Sequence, residues 1–440
     1  MVEQQTATTL RREIGVFGAM MMGMGSIVGT GVFVSIGIAA DVAGNGVILA
    51  IALASLVAIC NGLSSAQLAA NHPVSGGTYE YGYRWLSPST GFVAGWLFVC
   101  AKSASAATAA LGFAGYLLHL IDADPKWIVP VALTAVAVLT AVVLLGIRRS
   151  NIANIVIVSV TLLALTLFVF AGLPGAMSNG SQQILLPWNA LDGEPISARA
   201  ILEATALMFV AYTGYGRIAT LGEEVKDPAH TIPRAIIVTL IVSMVLYLAV
   251  AIIAVANVGA ESYAAATRTD VAPLVVIANG FSAPGIGMGL AIGAVTAMLG
   301  VLLNLILGLS RVLLAMGRRS DVPTGFAALS KNTNIPWAAT LGVATIIGSL
   351  VLVGDIRITW SFSAFAVLIY YALTNLCALR LQPDQRIFPI WPAYGGLAAC
   401  GFLAFWVERQ IWLAGLGLIG VGFVIRFASK RFVAGGKTRH

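Results

Sequence analysis

The chain has 440 residues, of which 59% are hydrophobic and only 10% charged, and its mean hydropathy is +0.92. Soluble domains carry about 25% charged residues, so this composition excludes an ordinary soluble protein and places the chain among membrane proteins. The net charge of +7 would suggest nucleic acid in a soluble protein, but in a chain this apolar it is first a topological signal.

A membrane-spanning helix needs about 20 mostly apolar residues. Twelve stretches approach that template, at about 14–40, 46–70, 91–119, 127–146, 151–174, 199–221, 234–257, 284–314, 337–353, 359–379, 388–407 and 411–427. The first is too long for the core of a cleaved signal peptide and is expected to stay in the mature protein. With the N-terminus placed in the cytoplasm and the spans alternating, 19 of the 25 Lys and Arg residues fall on the cytoplasmic side, five fall outside and Lys102 alone lies in mid-span. That bias predicts a multi-pass protein of the cell inner membrane with both termini inside. Between spans two and three, residues 75–85 combine aromatics with Arg84 and suit a short helix at the cytoplasmic interface. The stretch from Pro174 to Ala198 holds Gly, Ser, Asn and Pro without helical periodicity and reads as an outer loop between two halves.

Two spans carry interruptions. The first contains Gly23, Gly25, Gly29 and Gly31 within nine residues. Each glycine costs a helix about 1 kcal/mol relative to Ala, which fits either an unwound segment or, for Gly25 and Gly29, close helix packing. The sixth contains Tyr212-Thr213-Gly214-Tyr215-Gly216-Arg217. Spans one and six are equivalent positions in a core of two five-helix repeats, and an odd repeat length inverts one half relative to the other. Paired interruptions at matching positions point to a transporter site. A broken helix exposes N–H groups that suit a carboxylate and C=O groups that suit an ammonium.

Three stretches then resemble the amino acid–polyamine–organocation (APC) superfamily: residues Gly25 to Phe33, the segment Glu223 to Pro228 with Thr231 to Arg234, and Ser310 to Met316 followed by Arg318, Asp321 and Pro323. The resemblance covers nearly the whole chain. It implies an all-α fold of 12 transmembrane helices. Residues 14–174 would form one five-helix repeat, 199–379 a second, inverted one, and 388–427 two added helices. It implies alternating-access transport of amino acids or amines without ATP hydrolysis. Carried over by position, the N–H groups around Gly29, Thr30 and Gly31 would meet the substrate carboxylate. The carbonyls of Ile27 and of residues 209–213, Phe209, Tyr212 and Thr213 among them, would meet the amino group next to Gly214. Phe209, beside Val210, is the candidate gate. Relatives with an acid two residues after the helix-six glycine have Gly216 here, followed by Arg217, which lowers the case for cationic substrates. Thr161 stands where some proton-coupled relatives carry a lysine in span five.

A charge at membrane depth is expensive and commonly marks a substrate or proton pathway. Lys102, about 16 Å into span three at 1.5 Å per residue, is therefore the candidate coupling residue, with snorkelling or a static pair as the alternative. Glu203 reads as an interfacial carboxylate paired with Arg199, ahead of a vestibule role. Arg217 reads as a gate or structural ion pair ahead of a substrate contact. Asn304 is a weaker pocket candidate. The four cysteines lie in apolar runs without CxxC spacing, the four histidines are dispersed, and no P-loop is present. No metal, cofactor or catalytic role is expected. The expectation is a transporter of small or medium neutral amino acids, with protons as candidate coupling ion and a cationic amino acid or polyamine exchanger as runner-up. A channel and a non-transporting nutrient sensor are weaker alternatives.

Overall fold

The computed structural model describes residues 14–74, 76–145, 151–185, 196–220, 224–269, 272–330 and 335–437. Among these residues the fold is helical, and the single isolated bridge joins Ile14 to Val225. Helix α1 (Val16–Ile27) gives way to a π-helical turn, Gly31–Ser35, and continues as α2 (Ile36–Ala43). Then come α3 (Val47–Asn71), α4 (Thr78–Trp85), α5 (Pro88–Leu120), α6 (Ile128–Leu144) and α7 (Asn151–Leu185). Helix α8 (Ala198–Tyr212) passes through a 3-10 turn, Thr213–Tyr215, into the short α9 (Gly216–Ala219). The rest are α10 (Pro228–Thr269), α11 (Pro273–Asn279), α12 (Ile286–Arg318), α13 (Trp337–Val351), α14 (Ile356–Leu379), α15 (Trp391–Leu403) and α16 (Arg409–Lys437).

Several starts are written locally. Ser87 and Thr90 form a capping box with Pro88 in the first turn of α5, and Ser197 and Asp355 cap α8 and α14. These caps satisfy amides that have no partner inside the helix. Gly259 breaks α10 with φ 77° and ψ 157°, a conformation that glycine adopts without strain.

Eight helical stretches among the described residues are long and apolar enough to cross a membrane. The chain is a multi-pass membrane protein. Helices α8, α13 and α15, of 15, 15 and 13 residues, fall short of the full length singly.

Helix α5 is buried on nearly every side and packs between α12 and α14. Its run of Ala, Ser and Gly explains this, because small side chains let backbones approach when no water drives the association. At the end of the bundle that carries Ile14, here the basic end, buried Asp321 accepts from Arg426 Nε at 2.8 Å, from the Tyr79 hydroxyl at 3.0 Å and from the Tyr83 hydroxyl. This ties the segment after α12 to α4 and α16. At the opposite end Asp41, after the first interruption, joins Arg268 and Arg357, the latter at 2.6 Å.

Residues 78–85 form the expected short helix, with Arg84 exposed and one face turned inward. Tyr79 and Tyr81 are buried, and the Thr78 hydroxyl is 2.7 Å from that of Thr374. The phenols of Tyr79 and Tyr83 turn toward Asp321, a buried carboxylate that needs donors. The stretch after Pro174 is not a loop from its start, since α7 continues through Pro174 to Leu185. Asn257 of α10 donates to the Gly172 carbonyl at 2.9 Å and helps hold that turn. The remainder of the expected loop, 186–195, lies outside the described residues.

Candidate functional site

The interruption in the first helix is local and specific. Val28 leaves the helix at φ −84°, ψ 83° and donates to Met24. Gly29 donates back to the Ile27 carbonyl at 3.0 Å, while Val32 and Phe33 both donate to Gly29, at 3.2 and 3.1 Å. The amides of Thr30 and Gly31 therefore stand at the tip of the half-helix that follows the interruption, where intrahelical acceptors run out. Both readings of the glycines hold here. A Cβ on Gly25 would lie 2.6 Å from Asn154 Oδ1, and one on Gly29 would lie 2.7 Å from Val301 Cγ2. The same residues that interrupt the helix admit α7 and α12 against it.

The interruption in the sixth span lies against the first. A Cβ on Gly214 would overlap the Ser26 carbonyl and come within 2.6 Å of Ile27 Cγ1. Only glycine lets the two backbones meet at this spacing.

Freed carbonyls in a water-poor interior need donors, and the neighbouring helices supply them. The Tyr247 hydroxyl of α10 lies 2.9 Å from the Ile27 carbonyl and 3.2 Å from that of Ala211. From α14, the Tyr371 hydroxyl lies 3.2 Å from the Thr213 carbonyl, and Trp360 Nε1 donates to Leu207 at 3.0 Å. The Ile27 carbonyl, expected to meet an amino group, already accepts from Gly29 and reaches Tyr247, which uses both of its lone pairs.

Lys102 extends from α5 to this same place. It is buried, and its Nζ donates to the Thr213 hydroxyl at 2.7 Å, which in turn donates to the Val210 carbonyl at 2.7 Å. A cavity of about 80 Å³ runs from here toward the basic end. Lys102, Thr213, Gly214 and Asn304 line it, together with Ser26, Phe98, Arg217, Thr220 and Arg311. A second cavity of about 350 Å³ enters from the opposite end, past Asp41, Arg268 and Arg357 to Phe33 and Val34.

The expected residues thus divide. Lys102, Thr213, Gly214 and Asn304 share the first cavity. Ile27, Gly29, Thr30 and Gly31 form the adjoining backbone interruption. Phe209 is buried, edge-on to Tyr371 with ring centres 5.6 Å apart. Tyr212 packs on Tyr247 at 5.1 Å, and its buried hydroxyl has no hydrogen-bond partner among the described residues. Thr161 is buried and donates to the Ile157 carbonyl at 2.9 Å. The ion pairs expected for Glu203 with Arg199 and for Arg217 are absent within 4.0 Å among the described residues. Arg217 instead donates to Thr220 at 3.3 Å.

Tyr247, Tyr371 and Trp360 carry no signal in the sequence that separates them from other membrane aromatics. Asn154 does, as a polar side chain in an apolar span; it donates to the Met21 carbonyl at 2.9 Å.

The family model described as amino acid permease matches residues 18–431. The chain is 39% identical to an uncharacterized transporter of Mycobacterium tuberculosis, over 96% of this chain and 92% of that one. It is 27% identical to a branched-chain amino acid permease of Bacillus subtilis, over 96% and 94% of the two chains. It is 26% identical to cationic amino acid transporter 4 of Homo sapiens, over 86% of this chain and 61% of the human one. The chain belongs to the amino acid permease family, within the APC superfamily of transporters.

Proposed function

We propose that this protein is a secondary active transporter of small or medium neutral amino acids, working by alternating access. The observation that carries the reading is the contact of Gly214 with Ser26, where interruptions in two helices meet beside a buried lysine. Amides at the tip of the half-helix that follows the first interruption, those of Thr30 and Gly31, suit the substrate carboxylate. The carbonyls at the end of α8, residues 209–213, suit its amino group.

In this reading twelve helices cross the inner membrane. Helices α1 to α7 form one repeat and α8 to α14 its inverted partner, with α15 and α16 added and both termini in the cytoplasm. The first cavity then opens inward, and Asp41 with Arg268 and Arg357 lines the second, outward one. Lys102 joins both repeats, through α5 and the Thr213 hydroxyl. A proton on Lys102 that favours one facing of the carrier would bias the equilibrium that substrate also biases, which is linkage.

Relatives are named for branched-chain and for cationic amino acids. The cavity favours the former class, because a cationic side chain would meet Lys102 and Arg217 there. Uptake of labelled amino acids and amines into proteoliposomes, with and without a pH gradient, tests the reading. Saturable uptake of neutral amino acids supports it, and uptake confined to polyamines would replace it.

A further inference from the structure

The cavity at the basic end holds a charge imbalance that the transport of neutral amino acids does not require. Three cations line it, Lys102 from α5, Arg217 from α9 and Arg311 from α12, and among the described residues no Asp or Glu does. Arg311 has a partner, Glu224, at 3.5 Å. Lys102 and Arg217 have no acid within 4.0 Å among the described residues.

Their donors are also underused. The hydrogen bond from Lys102 goes to a hydroxyl that spends its own proton on Val210. An ammonium has three donors. Arg217 gives one bond to Thr220, and its Nε is buried without a partner among the described residues. Lys102, held by the Thr213 hydroxyl, and Arg217, from the short helix that follows, both line this one cavity. Buried charge is ordinarily paired because leaving it alone is costly. A guanidinium and an ammonium that line one cavity with spare donors match the acceptor-only chemistry of a carboxylate.

Resting on the amino-acid reading above, we infer that Lys102 and Arg217 form a second carboxylate subsite and that the transported amino acids include dicarboxylic ones. The α-carboxylate meets the amides of Thr30 and Gly31, and the side-chain carboxylate meets Lys102 and Arg217. Arg311, already paired with Glu224, stands at the mouth and does not bind the substrate directly.

The test uses the full-length protein in proteoliposomes, with labelled alanine uptake competed by unlabelled glutamate, glutamine and lysine. Glutamate and glutamine have nearly the same shape and differ in charge. Glutamate is expected to compete at least as well as glutamine, and lysine at least tenfold worse. In Arg217→Gln the glutamate-to-glutamine affinity ratio falls about tenfold, the size of one charge-assisted hydrogen bond, while Arg217→Lys holds it within about threefold of the unmodified protein. Alanine uptake blocked by glutamine but untouched by glutamate would overturn the subsite and leave amino acid transport standing. So would an unchanged ratio in Arg217→Gln. Absence of uptake for every amino acid in the panel would overturn the amino-acid reading and the subsite with it. If the Arg217 variants fail to fold, competition in the unmodified protein decides alone.

Discussion

Gly214 rests against the Ser26 carbonyl, so the interruptions in the two broken helices touch backbone to backbone. A methyl group there would overlap that oxygen and lie 2.5 Å from the carbonyl carbon. Neither contact is the movable end of a side chain, so relief requires one helix to shift. Overpacking of this kind costs about 1–3 kcal/mol. Gly214→Ala is expected to lower the melting temperature in detergent by several degrees and to reduce amino acid uptake at least about tenfold. Uptake and stability matching the unmodified protein would show that the two interruptions are not a mechanical unit.

Tyr247 and Gly31 should be coupled. A Cβ on Gly31 would overlap the Tyr247 hydroxyl and lie 3.1 Å from its Cζ. Gly31→Ala is expected to weaken substrate binding at least about tenfold, as overpacking of about 1–3 kcal/mol would. Tyr247→Phe removes the obstructing oxygen and leaves two carbonyls short of a donor, at about 1–3 kcal/mol for the buried groups. The double variant Gly31→Ala/Tyr247→Phe should regain part of the binding that Gly31→Ala loses. Strictly additive losses in a double-mutant cycle of substrate affinities would reject the coupling.

Lys102→Met keeps the length and apolar stem of the side chain and removes the group that can carry a proton. If Lys102 couples transport to protons, this variant still binds neutral amino acids but its uptake no longer varies with pH. A static structural role gives a poorly folded variant instead, visible as loss of the monodisperse peak in size-exclusion chromatography. Uptake with the full pH response of the unmodified protein removes Lys102 from the coupling step.

What the sequence makes legible follows from where each signal resides. The two interruptions are readable because their cause is local: glycine spacing in residues 23–31 and 212–217 opposes a continuous helix wherever the segment lies. Lys102 is readable because a charge in an apolar span is conspicuous by itself. The hydroxyls that engage the freed carbonyls are not readable. Tyr247 and Ile27 are separated by 220 positions, and a tyrosine in an apolar span gives no sign of which backbone it will reach. Asp321 belongs to a motif that shows in the sequence, but its partners Tyr79, Tyr83 and Arg426 come from helices far along the chain. For that reason the inward face of residues 78–85, with Tyr79 against Asp321, is not legible in the sequence.

The Asp321 cluster should matter for stability more than for selectivity. Asp321 is fully buried, and its neutralisation would strand Arg426, which is itself nearly buried. Breaking one side of a buried pair costs about 3–5 kcal/mol. Asp321→Asn is expected to lower the melting temperature markedly while leaving the ranking of competing amino acids unchanged. A shift in that ranking without loss of stability would assign the cluster to the substrate path.

As a carrier, this permease-family chain is expected to exchange amino acids by alternating access, without ATP and without a continuous pore. Counterflow measures that directly. Proteoliposomes loaded with an unlabelled neutral amino acid are diluted into a trace of the same amino acid in labelled form. A carrier gives transient accumulation of label above its equilibrium level, saturable in the internal substrate, and this is the expected result. Label that rises only to equilibrium, with a rate that does not saturate and does not depend on internal amino acid, would be the behaviour of a pore and would contradict the account.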